Sequence, residues 1–565
     1  MSPEHQILPL CIGAAFISWV FLNKRSVRGD YFVVFYAFVI AFLSAQKYWS
    51  PVSFSVFKVS ALYFSTLAFI TVAYRLSPFH PLAKYPGPIT WRISSVVLAF
   101  YSFTGKRHLY IDEFHKKYGP FVRIGPNALT INSINASPVL YGAKYHMEKS
   151  ESYNKPGHIG GVSLFFKHTR EESTKRKRIW YNAFSGSAIE HYFPPLERRT
   201  WQLTNCIENR TQKSTGIVDL SECLAHWSYD FMGEMVFGGS NDLELMRNGD
   251  PQGYIPGGKM ATAIVDSFGQ APWIMDILWH LPSSKDIHRL QELSANMMRN
   301  RVKRSGDVSI KDVASYLIEG DRTTGEKIPM SDLEVESLIA IQGGKSSFSL
   351  EIRSDNTAMT MALIFYFLLT HPHCYAKLQA ELDKVFPDPT VPLTNDKIAK
   401  VPYVEACVTE ALRLASPFFI PRIVPPGGCE IDGNFIPEGT VAVLSAYSLQ
   451  IDPKHFHPEP MAYIPERWMP EWEGPEKITN KAAFVSFSSG PYVCVAKNFA
   501  MQEMKLVVSR LVLTFDMSLP EVFDPKAFFD GFGNMRTSVF DRPLYVKAVR
   551  RSEKTKLEAL AHSPY

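Results

Sequence analysis

Cys494 stands in FSSGPYVCVAKNFA (Phe487–Ala500), between two different kinds of sequence. Ser488, Ser489, Gly490 and Pro491 ahead of it form a stretch in which the backbone turns sharply. Behind it, Ala496, Lys497, Phe499, Ala500, Met501 and Glu503 read as the opening of an amphipathic helix. A sulfur at the mouth of a helix, among loop N–H groups, meets the partial positive charge that favours a thiolate. A thiolate there is an electron donor and an iron ligand; without such context a lone cysteine is a small buried hydrophobe. A second group of residues lies in VEACVTEALRLASP, where Glu410 and Arg413 share one helix face at i and i+3. Taken alone, such a pair is a solvated surface contact worth a few tenths of a kcal/mol.

Together these segments resemble the signatures of the cytochrome P-450 family. The loop resembles its haem-binding pattern F-x-x-G-x-R-x-C-x-G, with Phe487, Gly490 and Cys494 matching, Tyr492 in place of the arginine and Ala496 in place of the last glycine. The resemblance implies that Cys494 is the axial ligand of haem b iron, and that the Tyr492 phenol donates a hydrogen bond where the family has a guanidinium. Glu410 and Arg413 match E-x-x-R, and Arg467 in YIPERW matches P-E-R-F/W. The implied Glu410–Arg413–Arg467 network is buried and architectural, holding the proximal side below the haem. STKRKRIWYNAFS (Ser173–Ser185) is similar to the family's C-helix region. Lys177 or Arg178 falls there at the place of a haem-propionate contact; a basic solvated face is the alternative. FFIPRIVPPGGCEIDGNFIPEGTVA (Phe418–Ala442) is similar to the strand-rich region after E-x-x-R, which makes Arg422 the second propionate partner and Phe418, Phe419 and Ile420 lining of the substrate pocket.

The family's distal helix carries (A/G)-G-x-(D/E)-T-T. Here LIAIQGG and SDNTAMTMALIF both fit, with Asp355 as the acid, Asn356 where the threonine usually stands and Thr357 next to it. These three residues are the implied proton relay. Lys345–Ser354 is in excess of the pattern. Inserted as helix it would displace the following turn by about 15 Å at 1.5 Å per residue, so it must bulge out as a loop or break the helix in two. A gene-model error at the Gly-Lys-Ser codons is the other reading of the excess.

The elements that position these groups follow from the rest of the chain. It has 565 residues, 46% hydrophobic and 20% charged, enough for a large core. A net charge of +5, from 60 basic and 55 acidic residues, gives no electrostatic motive for a nucleic-acid partner. Seven cysteines without a CxxC pair or regular spacing argue against a disulfide framework or a zinc site and for a reducing compartment. No repeat or low-complexity linker divides the chain after residue 76, so the bulk reads as one mainly α unit with small β-sheets near 120–135 and 418–447.

Residues 1–75 differ. Apolar stretches at Ile7–Leu22, Tyr31–Ala45 and Phe54–Tyr74 alternate with polar turns, and Lys24, Arg25 and Arg28 follow the first while Arg75 and Lys84 follow the third. Three spans place both basic groups on the cytosolic side. A cleaved signal peptide fits poorly, because the apolar character continues far past any cleavage point. The expected division is a three-helix membrane anchor (1–75), a stiff extended tether LSPFHPLAKYPGP (76–88) and a haem-binding catalytic domain (89–565).

The resemblance covers about residues 76–550, with wording closest to fungal, membrane-bound members of secondary metabolism. It implies a haem-thiolate monooxygenase of the endoplasmic-reticulum membrane facing the cytosol. An NADPH-cytochrome P-450 reductase supplies its electrons and an apolar small molecule, such as a terpenoid, receives one oxygen atom from dioxygen. A catalytically impaired haem-binding protein, and a reductase-independent haem-thiolate isomerase or dehydratase, are the alternatives.

Overall fold

A computed structural model describes residues 3–23, 27–45, 55–145, 147–153, 161–214, 216–239, 243–306, 311–343, 355–415, 419–534, 538–540 and 542–551. The three N-terminal apolar stretches form the helices Pro3–Leu22, Gly29–Ala45 and Val56–Leu76. Among the described residues only Val56–Leu76 is long and apolar enough to cross a membrane; Leu8–Leu22 and Gly29–Ala45 are shorter apolar helices. Ser55 caps the long helix by accepting from the Lys58 N–H at 3.4 Å. The first and third helices pack together, with the Tyr63 hydroxyl donating to Ser18 Oγ at 2.8 Å and the Trp19 and Tyr74 rings 5.2 Å apart. The second and third helices leave Phe38 and Phe57 71% and 82% exposed, an apolar surface that water does not favour.

The N-terminal helices are fixed to the main body at two places. Arg75 donates to the Ile93 carbonyl at 2.5 Å and its own carbonyl accepts from Arg123 at 3.1 Å. At the other place the Gly29 N–H donates to Asp276 Oδ2 at 3.1 Å, on the short helix Pro272–Leu278. Only glycine fits there, because a Cβ would lie 1.9 Å from the Trp273 carbonyl oxygen. A cavity of about 1200 Å³ lies in this junction, with Leu22, Val27 and Phe32 on the anchor side and Trp273, Ile277 and Phe166 on the other.

Residues 76–88 are not the extended tether expected from their prolines. Ser77–Tyr85 fold into consecutive turns, with His80 N–H donating to Ser77 O, Ala83 to His80 O and Tyr85 to Leu82 O, and only the last three residues are without a turn. Pro78 and Pro81 occupy the second positions of the first two turns, where their fixed φ is as well suited as in an extended chain. Leu82 and Tyr85 are buried, and the Tyr85 hydroxyl donates to Phe435 O at 2.7 Å, so the segment is part of the domain.

The main body is mostly helical. Leu220–Phe237, Asp355–Thr370, Pro402–Leu414 and Lys497–Thr514 pack on one another at its centre. Asp355–Thr370 is apolar on every side, and Thr357 to Leu369 are all buried, the pattern of a core helix. The largest sheet joins strands distant in sequence in the order Phe121–Arg123, Ala128–Ile131, Val441–Leu444, Arg422–Ile423, Glu148–Lys149. Ala128–Ile131 runs parallel to Val441–Leu444, and Lys149 pairs directly with Arg422. The distal segment is two helices, Met330–Gly343 and Asp355–Thr370; the excess residues Lys345–Ser354 lie outside the described residues.

Candidate active site

The thiol loop is built by local hydrogen bonds. Ser488, at φ 60°, closes a turn by donating its N–H to Val485 O at 2.8 Å. A 3₁₀ turn, Gly490–Tyr492, follows, and the Cys494 N–H returns to Phe487 O at 3.0 Å. Gly490 sits at φ 57° with the Tyr141 carbonyl 2.5 Å from where a Cβ would be, so it needs glycine on both counts. Phe487 packs against the core, Cys494 is 5% exposed, and the helix Lys497–Thr514 begins just beyond it with no side-chain cap on its first N–H groups. All seven cysteines are buried, and none is in a disulfide.

Below the loop, the Glu410 carboxylate accepts from Arg413 Nε and Nη2 at 2.8 and 2.7 Å, from Arg467 Nε at 3.2 Å, from Trp468 Nε1 at 2.9 Å and from the Ile464 N–H at 3.1 Å. Glu410 and Arg413 are fully buried, and Arg467 is 2% exposed. Both guanidiniums also donate outward, Arg413 to the carbonyls of Gln450, Pro460 and Ala462 and Arg467 to those of Pro458 and Glu459. Charges this deep persist because each meets an opposite charge and several carbonyls. Gln450 extends the network to the loop: its amide donates to Arg413 O at 2.8 Å, and its oxygen accepts from the Val485 N–H at 2.8 Å and the Ser486 hydroxyl at 3.1 Å.

Cations gather on the other side of the loop. Lys177, on the helix Arg170–Ala183, donates to the carbonyls of Pro491 and Val493, both at 2.7 Å. Burial pushes its ammonium down to about 8 against the opposing pull of the Cys494 sulfur, and Arg422 adds to the depression. Arg422 is fully buried with its guanidinium 3.9 Å over the Tyr492 ring. Arg178 is elsewhere. Its side chain is 46% exposed and pairs with Asp321 at 3.3 Å, because one residue along the helix turns it by about 100° away from the face Lys177 shares with the loop.

Tyr492 also departs from expectation. Its one O–H donates to Met147 O at 2.5 Å, so the phenol proton is committed to the backbone, and what the ring offers the site is its face. Phe419 packs with Trp91, Leu98 and Ile111 under the Arg107 guanidinium, 3.8 Å from its ring, and so belongs to a separate cluster; Ile420 shares a cluster with Leu338 and Tyr492. Phe418 lies outside the described residues. Asp355 and Asn356 open the second distal helix without a described side-chain placement, and Thr357 is buried at 3% exposure.

Several site residues were not singled out from sequence. Lys149 is buried opposite Arg422 and donates to the carbonyls of Leu164 and Phe165, each at 2.8 Å. Arg176 bridges Glu336 and Asp332, both at 2.7 Å, tying the Lys177 helix to the first distal helix. Glu336, its carboxyl raised by burial, also accepts from Trp180 Nε1 at 3.1 Å. Trp468 follows Arg467 directly and was within reach of the P-E-R-F/W pattern; for Lys149, Arg176 and Gln450 nothing local marks the role.

The donor set fits haem. One buried thiol suits a single axial ligand, and among the described residues no cluster of His, Cys, Asp and Glu offers a multidentate metal site. Lys177, bonded to the thiol loop, and Arg422 near it gather positive charge, as a group carrying carboxylates requires. The comparisons agree. The family model for cytochrome P450 matches residues 85–539. The chain is 31% identical over 497 residues to "Cytochrome P450 67" of Uromyces fabae, covering 85% of this chain and 88% of that one. It is 30% identical over 464 residues to "Cytochrome P450 monooxygenase AKT7" of Alternaria alternata (80% and 86% covered), and 29% identical over 459 to "Tryprostatin B 6-hydroxylase" of Neosartorya fischeri (80% and 79%). With thiol loop, buried Glu–Arg–Arg network and family match in agreement, the chain belongs to the cytochrome P450 family.

Proposed function

We propose that this haem-thiolate monooxygenase divides its chemistry as follows. Cys494 is the axial ligand of haem iron, Lys177 and Arg422 take the haem carboxylates, and Glu410, Arg413 and Arg467 hold the proximal scaffold through Trp468 and Gln450. Bound haem supplies activation of dioxygen, helped by a thiolate that donates electron density and favours O–O cleavage. The chain's own residues do the rest. The hydrogen bond from the Cys494 N–H to Phe487 O fixes the loop, and burial at 5% exposure keeps water from the sulfur. The second distal helix, opened by Asp355, Asn356 and Thr357, delivers protons to the distal side, with Thr357 as its first buried hydroxyl. An apolar small molecule is the substrate, and the relatives, one of them named a tryprostatin B 6-hydroxylase, support hydroxylation in fungal secondary metabolism.

The observation that carries the assignment is the closed loop that holds Cys494 between Lys177 and the start of its helix. In the test, the reduced carbon-monoxide complex has the red-shifted Soret band of a thiolate-ligated haem, and Cys494→Ser abolishes it. An unchanged band in the variant removes Cys494 from its role.

Residues 1–75 are proposed as a three-span anchor in the endoplasmic-reticulum membrane, with residues 89–565 in the cytosol where an NADPH-cytochrome P450 reductase delivers electrons. Supporting this, the start of the second helix (Gly29) and the end of the third (Arg75) both bond to the catalytic domain, so both are on its side of the bilayer. An odd number of spans then leaves residue 1 in the lumen. A tag there resists protease in sealed microsomes while one at residue 565 is cleaved; cleavage of both overturns the topology.

A further inference from the structure

We propose that Tyr492 is a positioning residue that fixes the Arg422 guanidinium for a haem carboxylate, and so replaces the loop arginine of the family pattern by a different physical device. The proposal rests on the haem-thiolate reading above. Arg422 lies 3.9 Å over the Tyr492 ring, with the rings of Tyr141 and Tyr153 at 5.7 and 5.8 Å. A guanidinium stacked on an aromatic face keeps its edge N–H groups free of the ring and directed within its own plane. The ring cannot follow the cation passively. Its hydroxyl is tied to Met147 O at 2.5 Å, and Met147 directly precedes the strand Glu148–Lys149 that pairs with Arg422–Ile423. Tyr492, Met147, Lys149 and Arg422 therefore form a closed circuit of one ring, one hydrogen bond and one strand pairing, anchored two residues from Cys494.

Charge explains why a ring belongs there. Strand register sets Lys149 directly opposite Arg422, at 2% and 0% exposure, and Lys177 is close enough to feel Arg422. Like charges opposite one another are destabilising. An arginine at 492 would add a fourth cation to this group, whereas tyrosine gives Arg422 an attractive contact there.

The test uses ferric holoenzyme and follows haem transfer to excess apomyoglobin by the Soret band, together with the reduction potential by spectroelectrochemistry. Tyr492→Phe keeps the ring and stays within about threefold of the native rate of haem loss. Tyr492→Leu loses haem on the order of tenfold faster, the scale of a desolvated cation–π contact. It also lowers the potential, because the Arg422 charge is no longer held beside the haem, a change that lost packing alone would not produce. Arg422→Gln loses haem at least as fast, and the Tyr492→Leu/Arg422→Gln double variant no faster than Arg422→Gln alone. If Tyr492→Leu does not load haem, Tyr492→Met enters the same comparison. A Tyr492→Leu rate and potential equal to the native ones, or fully additive effects in the double variant, overturns the proposal while leaving the monooxygenase reading intact. Native protein that loads no thiolate-ligated haem would overturn that reading instead.

Discussion

Gln450→Leu tests whether the proximal network and the thiol loop act as one unit. Gln450 is fully buried at the end of the helix Ala446–Gln450. Leucine roughly keeps the volume and removes three hydrogen bonds, those to Arg413 O, the Val485 N–H and the Ser486 hydroxyl. Ser486 keeps a partner in Leu412 O at 3.1 Å. The Arg413 carbonyl and the Val485 N–H are left without this partner, and at about 1–3 kcal/mol for each buried unsatisfied group the loss comes to about 2–6 kcal/mol. Native stabilities are about 5–15 kcal/mol, so the effect is large. Because Val485 begins the turn that leads into Phe487, the damage should reach the haem first. Urea titration of the holoenzyme, followed by the thiolate Soret band and by far-UV circular dichroism, should show the Soret transition moving to lower urea and separating from the loss of helix. Ser486→Ala, as the control, shifts it by less than about 1.5 kcal/mol. A Soret midpoint in Gln450→Leu equal to the native one refutes the coupling.

Lys177 gives a pH signature. Its folded-state value near 8 lies below the ordinary 10.5, so the folded ligand-free protein binds fewer protons than the unfolded chain between those limits, and stability rises with pH across that window. Lys177→Gln should abolish the rise in denaturant midpoints measured across it; an identical slope in the variant refutes the assignment. Arg178→Ala removes the pair of its half-exposed guanidinium with the buried Asp321 carboxylate, which keeps the Thr323 N–H, and should leave haem content unchanged, so loss of haem would put Arg178 back in the site. Glu410→Gln keeps the shape but strips the charge that two buried guanidiniums face, and should cost about 3–5 kcal/mol in urea stability of the holoenzyme; a native midpoint refutes the account of the network.

What the sequence made legible was short-range. Cys494, Gly490 and Phe487 fall in one loop, and Glu410 and Arg413 in one helical turn, so spacing alone brings them together. Arg467, 57 residues beyond Glu410, was found only through its motif. Arg176 and Glu336 are 160 residues apart, and no periodicity in either helix points to the other. Lys149 became a site residue by strand register, which a two-residue strand does not announce. The partner of the Tyr492 phenol was not legible, since Met147, which takes its one proton, is 345 residues away in sequence. The tether failed for another reason: proline restricts φ equally well for an extended chain and for the turns that Pro78 and Pro81 adopt.

The two fixings of the anchor have a mechanical consequence. A body held by one flexible stalk swivels over a surface; one held at Arg75 and again at Gly29 keeps at most a hinge about the line joining them. The domain thus has a fixed bearing relative to its first three helices. Cutting the chain before Val56 would leave the long apolar helix Val56–Leu76 and its Arg75 attachment but delete Gly29, expose the Trp273 carbonyl and Asp276, and remove one wall of the 1200 Å³ cavity. Such a fragment keeps one membrane-length helix and loses the second fixing that sets its bearing.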